Sequence, residues 1–374
     1  MGKTLAEKIL GEKAGTEVRS GEVVVAKVDL AFVQDTTGPL TVRQFRAAGF
    51  RSVCDSLRAA VFLDHAAPSP NRELSNDHVL LRSFARETGC LIYDVGEGIC
   101  HQIVAESLAV PGDLIVGADS HTVTAGGLGA FACGMGSTDV AVVFRLGKTW
   151  FRVPESIRVM VTGRFPDAVS GKDLILHLIG LVGADGATYK ALEFGGDAIS
   201  RMSIPERLTV ANMVVEAGAK VGLFPSDEVT REYLKAQGRG DDYQPLFPDG
   251  DAVYERTIEI DVSQLEPTIA RPHSVDNTVP VQELKGTRLQ QVYIGTCTNG
   301  RLEDMAVAAR ILTGRQRHPQ TRLVVAPASR AVLLAAIAAA ILRPCWERGR
   351  LCYRRGAVLA LACIRGCSVM VKTA

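Results

Sequence analysis

The segment QVYIGTCTNGRLEDMAVAARIL, residues 291–312, contains a strand, a turn and a helix in direct succession. Residues 291–294 are typical of a buried strand, and residues 302–312 carry apolar side chains at helical spacing. The turn between them presents Cys297 at the carboxyl end of the strand, where open α/β sheets bind their ligands. Cys297 is a candidate metal ligand or nucleophile. A nucleophile needs a base, and no histidine is close in sequence.

The composition is typical of a globular protein of two or three domains. The 374 residues are 47% hydrophobic and have a formal net charge of +1, with scattered Lys and Arg. This balance argues against nucleic acids or acidic membranes as partners. We find no N-terminal signal region, and the longest apolar run, residues 331–342, is too short to span a bilayer. We therefore expect a cytoplasmic protein whose nine cysteines are free thiols.

Strand-like and helix-like segments alternate along the chain, which predicts an α/β fold with mainly parallel sheets. Strands are predicted at residues 23–33, 91–95, 114–116, 158–161, 291–294 and 322–325, and helices at 76–87, 171–181, 206–220, 302–312 and 330–342. Polar and proline-containing stretches suggest an α/β domain at 1–154, a second at 155–275, a partial third at 276–342, and a separate segment at 343–374.

Three short motifs place histidines beside acidic or polar residues after apolar segments or loops. They are Asp64-His65, Cys100-His101-Gln102 and Asp119-Ser120-His121. Because the carboxyl ends of parallel strands meet at one edge of a sheet, we expect these motifs to share a crevice. A histidine can exchange a proton near neutral pH while a carboxylate orients it, so the pattern indicates acid–base chemistry. Ordinary structural roles are predicted for the remaining histidines, His78, His177, His273 and His318.

Three further patterns have more than one interpretation. The glycine-rich residues 125–136 lack the spacing of a dinucleotide-binding loop, so we favour close backbone packing over a nucleotide site. Asn212 and Glu216 lie four residues apart in a predicted helix and would share a face, directed either to a cleft or to solvent. Gln34 and Asp35, which end the first predicted strand, are equally ambiguous alone.

As a set, these motifs resemble the aconitase family, and most of all its branch of 3-isopropylmalate dehydratase and homoaconitase large subunits. The matching segments appear in family order: TLAEKIL at 4–10, VQD at 33–35, DH at 64–65, CHQ at 100–102, GADSHT at 117–122, Asn212 with Glu216, and IGTCTNGR at 294–301. The resemblance implies three-layer α/β/α domains, the last of them incomplete, and a hydro-lyase that moves a hydroxyl group between adjacent carbons of a malate-type acid.

The resemblance also implies residue roles. Cys297 would be one of three thiolates holding a [4Fe-4S] cluster, and Asp64 with His65 would protonate the departing hydroxyl. Positioning of water and substrate would fall to His101, Asp119, His121 and Glu216. Substrate contacts would come from Gln34, Ser120, Asn212, Asn299 and Arg301. A separate small subunit would carry the catalytic serine and the substrate arginines, and the substrate would be a 2-hydroxy di- or tricarboxylic acid.

Residues 343–374 depart from the family pattern. The family's next motif, GCGPC, supplies the other two cluster cysteines, and it is absent here. Codons compatible with residues 342–373 can encode GCGPC when read from the third base of each codon. Our hypothesis is a frameshift near residues 337–343, so that this chain as written binds no stable cluster and is inactive. Resequencing the coding DNA tests this.

The resemblance leaves the substrate open. The first interpretation is isomerisation of 2-isopropylmalate to 3-isopropylmalate in leucine biosynthesis, and the second is homoaconitate hydration in lysine biosynthesis. An alternative of another class is a cluster-free regulatory or RNA-binding relative, against which the near-neutral charge argues.

Overall fold

A computed structural model describes residues 2–315 and 318–341 of the chain. Helices and strands alternate through both ranges, and the larger sheets are parallel. The chain therefore has the predicted α/β fold. Within the described ranges, no helix combines the length and the apolarity needed to cross a membrane. The segment predicted to be out of frame, residues 343–374, lies outside the described residues.

The first part of the chain builds a five-stranded parallel sheet with flanking helices. Its elements are α1 (Leu5–Ala14), β1 (Val23–Lys27), β2 (Leu30–Gln34), α2 (Gly38–Ala47), β3 (Ala59–Phe62), α3 (Arg72–Thr88), β4 (Leu91–Tyr93), α4 (Cys100–Ile103), β5 (Leu114–Gly117), β6 (Phe131–Gly134), α5 (Ser137–Leu146) and β7 (Lys148–Arg152). The strand order is β4–β3–β2–β5–β6. Alternate residues of β2 enter two different core clusters, Phe32 one and Val33 the other, so both faces of the sheet are covered.

The prediction of one strand over residues 23–33 is wrong in detail. β1 pairs antiparallel with β7, whereas β2 belongs to the parallel sheet. Asp29 interrupts the valine-rich run between them. Its carboxylate accepts a hydrogen bond from the backbone of Leu114 and forms ion pairs with Lys13 and Arg58. This half-buried polar bend redirects the chain from one sheet to the other.

A second parallel sheet has the order β10–β9–β8–β11. Its elements are β8 (Ser156–Thr162), α6 (Gly171–Val182), β9 (Ala191–Gly195), α7 (Ile204–Met213), β10 (Val221–Leu223), α8 (Glu228–Ala236) and β11 (Arg256–Asp261). The structure confirms α6, which begins with a capping box between Ser170 and Asp173. The predicted helix over 206–220 is wrong beyond Met213. The chain tightens there into a 3₁₀ turn, Val214–Ala217, which Gly218 ends in the left-handed conformation.

The last described elements are β12 (Thr268–Ala270), β13 (Thr278–Pro280), β14 (Gln291–Ile294), α9 (Leu302–Leu312), β15 (Arg322–Val325) and α10 (Arg330–Ala338). The structure confirms the strand–turn–helix unit β14–α9, and β14 pairs in parallel with β15. α10 ends at Ala338, earlier than predicted. The proposed domain boundaries at 154 and 275 stay predictions.

The glycine-rich residues 125–136 bring the first and second sheets together. A Cβ atom on Gly126 would lie 1.8 Å from the carbonyl oxygen of Gly222, and one on Gly127 would lie 2.8 Å from the backbone nitrogen of Leu208. Only glycine permits so close an approach of two backbones. The prediction of close backbone packing is confirmed, and this contact sets α7 and β10 against the edge of the first sheet that carries the Asp/His motifs.

Candidate active site

The carboxyl ends of β2, β3 and β5 all open onto one cavity of about 220 Å³, the position at which parallel sheets bind ligands. Its lining combines polar side chains from the first sheet with the cysteine that follows β14. The lining residues are Gln34, Thr36, Thr37, His65, Ile99, Ala118, Asp119, Ser120, His121 and Cys297. The structure therefore brings together motifs separated by more than two hundred residues.

His65 is held between two carboxylates. Its Nδ1 lies 3.0 Å from Oδ1 of Asp64, and its Nε2 lies 3.4 Å from Oδ2 of Asp119. Burial lowers the pKa of His65, but the charge and hydrogen bond of Asp64 and the charge of Asp119 outweigh it and raise the pKa to about 9. Burial raises the pKa of Asp64, but the charge and hydrogen bond of His65 and a hydrogen bond from the backbone of Cys100 outweigh it and hold the pKa below its usual range. His65 therefore carries a proton at neutral pH.

Asp35, ambiguous in the sequence, supports the loop that carries His65. Its fully buried carboxylate accepts hydrogen bonds from the backbone nitrogens of His65 at 2.9 Å and Ala66 at 3.0 Å. His78, which the sequence assigns an ordinary role, lies with Nε2 2.9 Å from the same carboxylate. In the sequence, the one sign of a role for Asp35 is its position at a strand end. Its pairing with His78 leaves no local signal, because His78 belongs to α3 and lies 43 residues away.

Asp119 contacts several other polar residues of the site through its carboxylate. Its Oδ1 lies 3.0 Å from Nε2 of His101 and accepts a hydrogen bond from the backbone of His121 at 2.8 Å, while Oδ2 accepts one from Gln34. Burial raises the pKa of Asp119, but His101, His65 and His121 outweigh it and hold the pKa well below its usual range. Nδ1 of His101 is a buried nitrogen without a hydrogen-bond partner among the described residues.

His121 links the first sheet to the second. Its Nε2 lies 3.6 Å from Oε1 of Glu216, in the 3₁₀ turn that follows α7. Burial lowers the pKa of His121, but nearby Cys297, Glu216 and Asp119 raise it to about 9. Ser120 also lines the cavity, and its hydroxyl lies 3.4 Å from Nδ1 of His121.

The loop at 295–301, here called the Cys297 loop, depends on unusual backbone angles. Gly295 and Gly300 have φ values of 149° and 93°, and a Cβ atom on Gly295 would lie 2.7 Å from the carbonyl oxygen of Ala326. Thr296 has φ 80°, and its hydroxyl accepts a hydrogen bond from the backbone nitrogen of Thr298. The resulting tight turn places Cys297, half-buried, on the cavity wall.

Three residues that the resemblance assigns to substrate are not among the residues lining this cavity. Asn212 is fully buried and hydrogen-bonds to Thr124 and Thr298. Asn299 donates hydrogen bonds to Thr209 and Asp304 and accepts one from Lys172. Arg301 is 3% exposed, and its guanidinium group donates to neighbouring protein oxygens. Their substrate roles stay predictions.

An iron–sulfur cluster normally requires three or four thiolate ligands. Cys297 is the one cysteine of the described residues that lines the cavity. Cys100 is fully buried, and burial raises the pKa of its thiol well above the usual range. The ligand atoms of His65, His101 and Asp119 lie within 4.8 Å of one another, but they already bind each other. The described residues alone do not fit a [4Fe-4S] cluster.

The chain was compared with known proteins. The family of aconitases, described as aconitate hydratase, matches residues 7–349. The 3-isopropylmalate dehydratase large subunit of Elusimicrobium minutum is 56% identical over 337 residues, which cover 90% of this chain and 81% of that protein. The 3-isopropylmalate dehydratase large subunit 1 of Thermotoga maritima is 53% identical over 351 residues, 93% of this chain and 84% of that protein.

A third relative is the 3-isopropylmalate dehydratase large subunit 2 of Archaeoglobus fulgidus, 54% identical over 349 residues, 93% of this chain and 84% of that protein. The family match spans every residue that lines the cavity, Cys297 included. The chain therefore belongs to the aconitase family.

Proposed function

We propose that this chain is the large subunit of a 3-isopropylmalate dehydratase, a hydro-lyase that interconverts 2-isopropylmalate and 3-isopropylmalate by dehydration and rehydration. The observation that carries the proposal is the cavity at which three imidazoles, His65, His101 and His121, each face a carboxylate while Cys297 lies on the wall. The similar proteins from three organisms all bear this name, which supports 2-isopropylmalate as the substrate.

Dehydration requires a proton for the departing hydroxyl, because hydroxide is a poor leaving group. His65 is protonated at neutral pH, since its pKa is about 9. Its Nδ1 is engaged by Asp64, so Nε2 is the ring atom that can give a proton to a substrate in the cavity. The 3.4 Å separation between Nε2 and Asp119 is too long for a strong hydrogen bond, so this proton is available.

The remaining residues orient the substrate and the proton donor. Asp119 stays ionised and fixes His101 and the backbone of His121. Gln34 and Ser120 present an amide and a hydroxyl to the cavity, groups suited to hydrogen bonds with a substrate carboxylate. His65 and His121, both with a raised pKa, thus present positive charge to the cavity that complements a dicarboxylic acid.

Two further components belong to the proposal. The relatives are named as large subunits, which implies a small-subunit partner. We propose that this partner carries the catalytic serine and substrate arginines. Members of the family generally depend on a [4Fe-4S] cluster, and we propose Cys297 as one of its ligands, with the other two restored by correcting the frame of residues 343–374.

The test is an activity assay of the frame-corrected chain, reconstituted anaerobically with iron and sulfide and mixed with a relative's small subunit. We expect conversion of 2-isopropylmalate, and the His65→Asn variant should reduce kcat by about a hundredfold or more, as for loss of a general acid. The matched control is His177→Asn, an exposed histidine of α6 outside the cavity, which should leave kcat unchanged. Turnover of homoaconitate without turnover of isopropylmalate would contradict 2-isopropylmalate as the substrate. Full activity of His65→Asn would contradict His65 as the proton donor.

A further inference from the structure

The guanidinium group of Arg301 lies in a buried cage of neutral oxygens. Nε donates to Oε1 of Gln102 at 2.9 Å. Nη1 donates to the carbonyl oxygen of Thr298 at 2.8 Å, to Oγ1 of Thr209 at 3.1 Å and to the carbonyl oxygen of Pro205 at 3.3 Å. No carboxylate among the described residues lies within ion-pair distance of this side chain. Its charge is therefore stabilised by these hydrogen bonds and by the more distant carboxylates of Asp304 and Glu303, without a direct ion pair.

The oxygens that receive these hydrogen bonds come from three separate parts of the chain. Gln102 belongs to α4 beside the first sheet, Pro205 and Thr209 belong to α7, and Thr298 directly follows Cys297. Arg301 thus connects the Cys297 loop to α4 and to α7. Gln102 is itself fixed, because its amide donates to Glu106, which also accepts a hydrogen bond from Ser329.

Other hydrogen bonds hold the same loop at the same place. The hydroxyl of Thr298 donates to Asn212 at 2.8 Å, and the hydroxyl of Thr209 lies 3.0 Å from the carbonyl oxygen of Thr298. Asn299 donates to Thr209 at 3.3 Å. A buried guanidinium that loses its hydrogen-bond partners is costly, so these contacts favour the loop position that closes onto both helices.

We propose that Arg301 is a positioning residue: it fixes the Cys297 loop against α4 and α7, and so sets where the Cys297 sulfur lies, without touching substrate. The planar fork of arginine can reach oxygens on several sides at once, which the single ammonium group of lysine cannot. The inference concerns the site of the proposed function, but its main test uses the chain without substrate or cluster, so the two can fail separately.

The main test is hydrogen–deuterium exchange, measured by mass spectrometry on the chain and on Arg301→Lys. We expect the amides of residues 296–301 to exchange about tenfold faster in the variant, as for the loss of one strong buried hydrogen bond. Amides of β5 and β6 should keep their rates. Thr209→Val, which removes only a hydroxyl, should produce a smaller increase at the same residues.

The matched control is Arg207→Lys, a second fully buried arginine that lies in α7 and pairs with Asp227. It should lower overall stability without a selective effect on the Cys297 loop. Unchanged exchange at 296–301 in Arg301→Lys, or an equal increase everywhere, would overturn the proposal. In the active complex, a fall in kcat with an unchanged KM supports positioning, whereas a tenfold rise in KM with unchanged loop exchange would show that Arg301 binds substrate.

Discussion

At the cavity, the pKa of two imidazoles is raised by the groups that surround them. His65 and His121 are both buried, which favours the neutral ring, yet the pKa of each is raised from 6.5 to about 9. Asp64 and Asp119 dominate at His65, and Cys297 and Glu216 dominate at His121. The pKa of His65 therefore depends on its sequence neighbour Asp64 and on the distant Asp119, whereas that of His121 depends mainly on the distant Cys297 and Glu216.

These shifts predict how stability depends on pH. A histidine whose folded-state pKa lies above its unfolded value stabilises the protein below pH 6.5, and that contribution is lost as the pH rises through about 9. We expect Tm, measured by calorimetry, to fall between pH 6.5 and 9.5. The double variant His65→Asn/His121→Asn should show a smaller fall across the same range. Equal slopes for both proteins would show that these histidines are not the cause.

Among the helices, α7 connects the site to the second sheet, and its end was the largest error of the sequence analysis. A regular helix over 206–220 would place Asn212 and Glu216 on one face. The 3₁₀ turn instead separates them: Asn212 hydrogen-bonds to Thr298, and Glu216 faces His121. The sequence contained Gly218, a typical helix end, but the tightening before it depends on packing against the glycine-rich residues 125–136.

The position of α7 depends on Arg207, which is fully buried. Its guanidinium forms two hydrogen bonds to the carboxylate of Asp227, at 2.9 and 2.7 Å, and donates to the carbonyl oxygens of Met202, Pro225 and Ile199. We expect Arg207→Ala to lower the free energy of unfolding by about 3–5 kcal/mol, because it removes the ion-pair partner of Asp227 and one hydrogen bond from each of three carbonyls. Chemical denaturation measures this loss.

The control for this change is Arg231→Ala on α8, where the arginine is 56% exposed and pairs with Glu228 one turn away. An exposed pair of this kind is worth about 0.5 kcal/mol or less. Similar losses in the two variants would show that Arg207 is not a structural anchor.

For the whole molecule, the decisive property is whether the chain can bind a [4Fe-4S] cluster. The described residues bring one thiolate to the cavity, and the motif that supplies the others in the family is absent from the sequence as written. We expect this chain to bind no stable cluster after anaerobic reconstitution, and the frame-corrected chain to bind about four irons with a broad absorbance near 400 nm. Iron analysis of both proteins shows which of them binds the cluster. Four irons on the uncorrected chain would disprove the frameshift hypothesis.

The sequence by itself determined the α/β class, the unit β14–α9 around Cys297, and the family, because each depends on local periodicity or on short motifs. It also identified most of the cavity lining, since Gln34, His65 and Asp119 follow or end strands whose carboxyl ends must meet. Only the tertiary structure decided which polar side chains pair: Asp35 with His78, His121 with Glu216, and Arg301 with Gln102. Those pairings depend on distances between residues far apart in the chain, which the packing of the sheets and helices sets.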